Sequence, residues 1–147
     1  MSETEKIIGE ISGGAELWKW MGLNYAGELT FGDSEIVEFS IRRSGLSVLV
    51  LWVQQLNPIG AKTAWAHFFL NDMIDVSIEG FAHQNVIGEL KITSAGMSDI
   101  HPSLLGIGAA SPVHHITLEP CAGAFGSIKA TIERIEFAER PATSEQA

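Results

Sequence analysis

Alternating apolar and polar positions run through most of the chain and predict strands. Val37, Phe39 and Ile41 alternate with Glu38, Ser40 and Arg42, the pattern of a strand with one buried face. Ser44-Gly45 then offers a two-residue turn. The return run, Leu46 to Val53, is apolar on both faces from Val48 onward. That predicts a central strand whose second face is also covered, with Trp52 in the core. After the loop Asn57-Pro58-Ile59-Gly60, Trp65 to Leu70 reads as a strand, Asn71-Asp72 as its turn, and Met73 to Phe81 as the return. Val86 to Thr93 is a fifth strand, Val113 to Glu119 a sixth and Gly126 to Phe137 a seventh. In the last run Ile128, Ala130 and Ile132 share a face, while Ile135 and Phe137 have shifted by one residue. A β-bulge near Glu133-Arg134 reconciles the two halves.

Helical spacing is confined to Ala15–Met21, where Leu17, Trp18 and Met21 fall on one face, with Ser12 as the expected cap and Gly22 as the stop. Trp18 and Trp20 are about 200° apart on such a helix, so one of them is expected to be an exposed contact. Residues 94–112 contain three Gly, two Pro and four Ser and read as a long surface loop. The expected fold is mainly β (α+β at most), a two-layer antiparallel β-sheet of about seven strands with one short N-terminal helix. Residues 1–140 form the expected single domain and 141–147 a disordered tail.

Composition sharpens this picture. The chain has 147 residues, 46% hydrophobic and 18% charged, which is enough apolar content for a real core. Eighteen acids against nine bases give a net charge of −9, which disfavours nucleic acid and anionic membranes as partners. Seven of the eighteen acids (Glu3, Glu5, Glu10, Glu16, Glu28, Asp33 and Glu35) lie in the first 35 residues, against Lys6 and Lys19 alone. A single cysteine excludes an intramolecular disulfide framework. The acidic N-terminus is unlike a signal peptide, and no apolar run approaches the ~20 residues of a membrane span. A cytoplasmic location is the expectation.

Candidate chemistry is sparse. His67, His83, His101, His114 and His115 show no zinc-ligand spacing, and neighbours such as His114 and His115 point to opposite faces of a strand. No metal or cofactor is expected. Cys121 with His115 is a possible nucleophile–base pair, but no oxyanion-hole motif accompanies it. Asp33 and Glu35 could act as paired carboxylates, although a solvated strand start explains them better. The polar triplet His83-Gln84-Asn85 interrupts two apolar runs at a corner, either to satisfy turning backbone or as a patch that a partner recognises.

Three segments together resemble the immunity protein 50 family of bacterial polymorphic toxin systems. Phe31-Gly32-Asp33-Ser34-Glu35-Ile36 is similar to that family's F-H-D-A-E-V/I segment, and Phe81-Ala82-His83-Gln84-Asn85-Val86-Ile87 to its F-N-H-Q-N-V-I segment. Leu118-Glu119-Pro120-Cys121-Ala122-Gly123, followed by Gly126-Ser127, resembles its L-E-P-C-Y-G…G-S ending. Gly32, Ala82 and Ala122 depart from the pattern, where the family tends to have His, Asn and Tyr. The resemblance implies a non-enzymatic protein that binds and neutralises a cognate protein toxin, with an acidic surface suited to a basic one. Partner-binding candidates are Trp20, Glu28, Asp33, Glu35, His83, Gln84 and Asn85. The rival reading is a small-ligand-binding β module with residues 94–112 as a lid. It predicts a closed apolar pocket.

Overall fold

Six antiparallel strands close on themselves in the computed structural model, which describes residues 2–42, 44–98 and 111–140. They are β1 (Glu35–Ser40), β2 (Ser47–Leu56), β3 (Ile59–Glu79), β4 (Val86–Ser98), β5 (Ser111–Ala122) and β6 (Phe125–Arg140), in the order β1-β2-β3-β6-β5-β4. Two helices precede them, α1 (Glu3–Glu10) and α2 (Gly14–Met21). The mainly β, antiparallel reading therefore holds. The two layers are instead one sheet curled into a barrel, and the seven strands are six.

The strand count falls because Asn71-Asp72 does not reverse the chain. Asp72 does take the left-handed conformation of a turn residue, at φ 48°, and its N–H donates to the Asn71 side-chain carbonyl. Yet β3 runs on in one direction, because β6 is long enough to pair with both halves of it, from Thr63↔Arg140 to Glu79↔Phe125. The turn-like residues become a bulge, with Asn71↔Thr131 followed by Asp75↔Lys129. The bulge expected near Glu133-Arg134 is present: Phe69 pairs with Arg134 and Leu70 with Ile132, leaving Glu133 extra.

A third bulge overturns the reading of the first strand. Between Ile36↔Leu51 and Glu38↔Val50, Val37 is the extra residue, so the pleat shifts by one. Ile36 is buried in the place expected for Val37, which is 44% exposed, and Ile41 lies beyond the strand end in solvent.

Leu49 and Leu51 of β2 pair with Phe68 and Ala66 of β3, and all four point into the barrel, fully buried. Ile92, Ile116 and Ile128 form the matching row across β4, β5 and β6, each also at 0% exposure. None of these side chains is exposed to solvent, so these layers of the interior are packed core. Ile7 and Ile8 of α1 and Leu17 and Met21 of α2 join the same core. Helix α2 packs against β2 and β6, the two neighbours of β3 in the barrel.

The start of α2 differs from the expectation in a way that burial explains. Gly13, not Ser12, is its cap, because the Ser12 carbonyl is taken by the Ile135 N–H at 2.8 Å. That contact presses the chain so close to β6 that a Cβ on Gly13 would lie 1.8 Å from the Ile135 carbonyl oxygen. Helix α1 was not expected, although Ser2-Glu3-Thr4-Glu5 spells a capping box: the Glu5 N–H donates to Ser2 Oγ, and the Ser2 N–H donates to the Glu5 carboxylate.

Candidate functional site

The three segments that carry the family resemblance meet at the seam where β1 and β4 close the barrel. The pairing there is short. Asp33 N–H donates to Ile87 O at 3.0 Å, Ile87 N–H to Ser34 O at 2.9 Å, and Ile36 N–H to Asn85 O at 2.8 Å. Asp33 is exposed and sits at φ 68°, a left-handed position that Asp tolerates, in a turn closed by Ser34 N–H to Phe31 O. On the other side of the seam, Ile87 pairs with Pro120 and Val86 with Ala122 of β5.

Asn85 fastens this junction. Its side-chain carbonyl accepts the Ala82 N–H at 2.9 Å and the Ala124 N–H at 3.0 Å, while its amide donates to Ala82 O at 3.1 Å. One side chain thus serves the corner after β3 and the turn between β5 and β6. Gly123 lies against it, with space so short that a Cβ would fall 2.6 Å from Asn85 Oδ1 and 2.2 Å from the Gln84 carbonyl oxygen. His83 and Gln84 are exposed beside it. Of the polar triplet, then, Asn85 satisfies turning backbone, while His83 and Gln84 face solvent.

Next to the seam lies an open cleft of about 450 Å³ lined by Glu35, Ile36, Val37, Trp52, Trp65, His83 and Asn85. Register builds it. Glu35 pairs with Trp52 and Trp52 with Trp65, so a carboxylate and two indoles stand in one row on the outer face of β1, β2 and β3. Trp52 is accordingly half-buried outside the barrel, not in the core, because Leu49, Leu51 and Val53 take the inward positions of β2. Trp65 is 37% exposed, and the Arg140 guanidinium lies 4.3 Å from its ring centroid. The second face of β2 is covered in part, with Val50 buried, and Phe69 of the neighbouring β3 lies under the Arg134 guanidinium.

The remaining candidates lie elsewhere. Glu28 is exposed and lines a second cleft, of about 410 Å³, with Glu3, Thr4, Glu89 and Lys91. Trp20 is half-buried: it packs on Phe137 at 5.7 Å between ring centroids and donates from Nε1 to Glu139 at 2.8 Å. That hydrogen bond holds the Glu139 carboxyl below its usual range. Trp18 is packed against the core as well, so neither indole of α2 is the free contact expected from helical spacing. The acids of the first 35 residues do not form one face. Glu5 is buried in its capping box, Glu16 rides on α2, and Glu35 stands at the seam.

Cys121 is exposed, and both it and His115 belong to β5. Six residues along one strand separate them by about 20 Å, so the fold does not bring this thiol and imidazole together. His114 is 7% exposed and accepts the Ile132 N–H on Nδ1 at 3.1 Å, beside the Glu133 bulge. Burial lowers its pKa, partly opposed by the charge of Glu10. Among the described residues no group of three or more His, Cys, Asp or Glu is placed to hold a metal, and no helix is long and apolar enough to cross a membrane. Residues 94–98 and 111–112 of the expected loop are paired strand, Met97 opposite Pro112; residues 99–110, like the tail at 141–147, lie outside the described residues.

These elements define a six-stranded antiparallel barrel with two helices against its core. No protein-family model, no curated protein and no solved structure matches the chain.

Proposed function

We propose that this chain is a non-enzymatic immunity-type protein that binds and neutralises a cognate bacterial toxin, and that the Glu35–Trp52–Trp65 cleft is part of its contact surface. The observation that carries the reading is this partly exposed row of two indoles and a carboxylate beside the seam built from the family-like segments. Trp is favoured at binding hot spots, and a half-exposed indole pair on a rigid sheet offers contact area at little entropic cost. The −9 net charge suits a basic partner by steering its approach. The small-ligand reading draws less support, since the described barrel layers are filled by side chains at 0% exposure.

The test is binding to the protein encoded beside this one. A complex that forms with the intact chain and loses about tenfold or more in affinity on Trp65→Ser supports the reading. A neighbouring product that is a toxin yet neither binds nor is neutralised defeats it.

A further inference from the structure

We infer that the cleft between β1, β2 and β3 is an arginine-side-chain receptor, in which Trp52 stacks on the guanidinium and Glu35 pairs with it. The inference deepens the reading above by naming what the partner inserts. Its basis is local geometry and chemistry.

Glu35 and Trp52 are direct cross-strand partners, which places their Cβ atoms roughly 5 Å apart. A planar cation on the indole is therefore within reach of the carboxylate. Glu35 is half-buried, and its carboxylate makes no hydrogen bond or ion pair among the described residues. This same outer face already stacks guanidinium on aromatic rings twice, Arg134 on Phe69 at 4.2 Å and Arg140 on Trp65 at 4.3 Å. Both arginines come from β6, on the far side of β3 from the cleft. Trp52, in the middle of the row, has no such cation over it among the described residues. Val37, pushed outward by its bulge, supplies an apolar wall for the aliphatic part of an incoming side chain.

The shape of the site favours arginine over other cations. A guanidinium stacks flat on an indole while its edge donates two parallel hydrogen bonds to a carboxylate. An ammonium is a compact, strongly hydrated point charge and gains less from that pairing. A quaternary ammonium cannot donate to Glu35 at all. An arginine also matches an acidic protein with a basic partner.

The four tryptophans provide the readout. The full chain is titrated with N-acetyl-arginine methylamide at constant ionic strength, and the four indole N–H signals are followed by NMR. Trp52 and Trp65 should shift saturably while Trp18 and Trp20 stay still. Glu35→Gln, nearly isosteric, should weaken binding about fivefold with an unchanged fold, and Trp52→Leu should abolish it. The norleucine and lysine methylamides and tetramethylammonium should bind more weakly. The inference is overturned by the absence of a saturable shift, by a norleucine probe that matches arginine, by preference for either other cation, or by indifference to Glu35→Gln. The probe needs no toxin, so the two proposals fail separately: uptake of arginine without toxin binding sinks only the immunity reading, and toxin binding without it sinks only the arginine site.

Discussion

Asn85 occupies a position at which a side chain does the work of a missing β ladder. The chain leaves β3 at Glu79, crosses to β4 at Val86, and must satisfy its backbone at the corner between them. Asn85 → Ala would strip the acceptor from the Ala82 and Ala124 N–H groups, the latter on a buried residue. The expected loss is about 2–3 kcal/mol in a urea titration, since an unsatisfied buried donor costs roughly 1–3 kcal/mol. Asn85→Asp keeps both acceptor contacts but sets a carboxylate oxygen where the amide donates to the Ala82 carbonyl, so it should recover only part of that loss. His114 plays the same part at the Glu133 bulge, where the ladder releases the Ile132 N–H and the imidazole Nδ1 accepts it. A protonated imidazole has no free lone pair on Nδ1 and cannot accept. Because the folded pKa is lowered by burial, the unfolded chain binds this proton first, and stability rises with pH. The contribution is complete above the unfolded value near 6.5 and is lost as pH falls through the lower folded value. His114→Asn places an acceptor oxygen at the same branch position and does not titrate. It should flatten the pH dependence of stability just below 6.5 by up to about 1.4 kcal/mol per pH unit, measured by urea unfolding at a series of pH values.

Helix α1 illustrates why an element can be spelled in the sequence and still be overlooked. Its capping box is legible at Ser2 and Glu5, but eight residues are too few to hold a helix in water. What secures it is tertiary. Strand β4 pairs with β1 only at Val86↔Glu35, which leaves much of its edge open. Helix α1 covers that edge, as Thr4 Oγ1 accepts the Ile92 N–H at 2.9 Å and Glu3 accepts the Ser94 N–H at 3.0 Å. Thr4→Val should therefore destabilise the protein by about 1–2 kcal/mol and raise hydrogen exchange at the Ile92 amide. Strand content and the last bulge were readable from alternation, since one extra residue shifts a whole apolar set to the other face. The Val37 bulge was not, because Ile36, Val37, Phe39 and Ile41 fit two registers equally well and only the partner strand decides. For the same reason the cleft was half legible. Glu35 and His83 carried a polar signal, whereas Trp52 and Trp65 became its walls only through the pairing of β2 with β3.

The charge of the whole molecule and the chemistry of one cleft act on different stages of an encounter. A field from net charge −9 extends about one Debye length, ~10 Å at 0.1 M salt, and guides a basic partner before any contact is made. At that range the field depends on how much charge there is more than on which cleft holds it. Glu28 and Glu35 line different clefts, so they offer a controlled comparison. Glu28→Lys and Glu35→Lys each change the net charge by two units. Both should slow association with a basic toxin by a similar factor, about twofold to tenfold at low salt, and the difference from wild type should shrink as salt is raised. Dissociation should separate them. Glu28, outside the aromatic row, should leave the off-rate nearly unchanged, while reversal of Glu35 places a cation where the bound arginine needs a carboxylate and should speed dissociation about thirtyfold or more. Stopped-flow association and surface-based dissociation at two salt concentrations give both rates. Equal off-rates for the two variants would remove the cleft from the interface, and salt-independent association of the wild type would remove steering from the account.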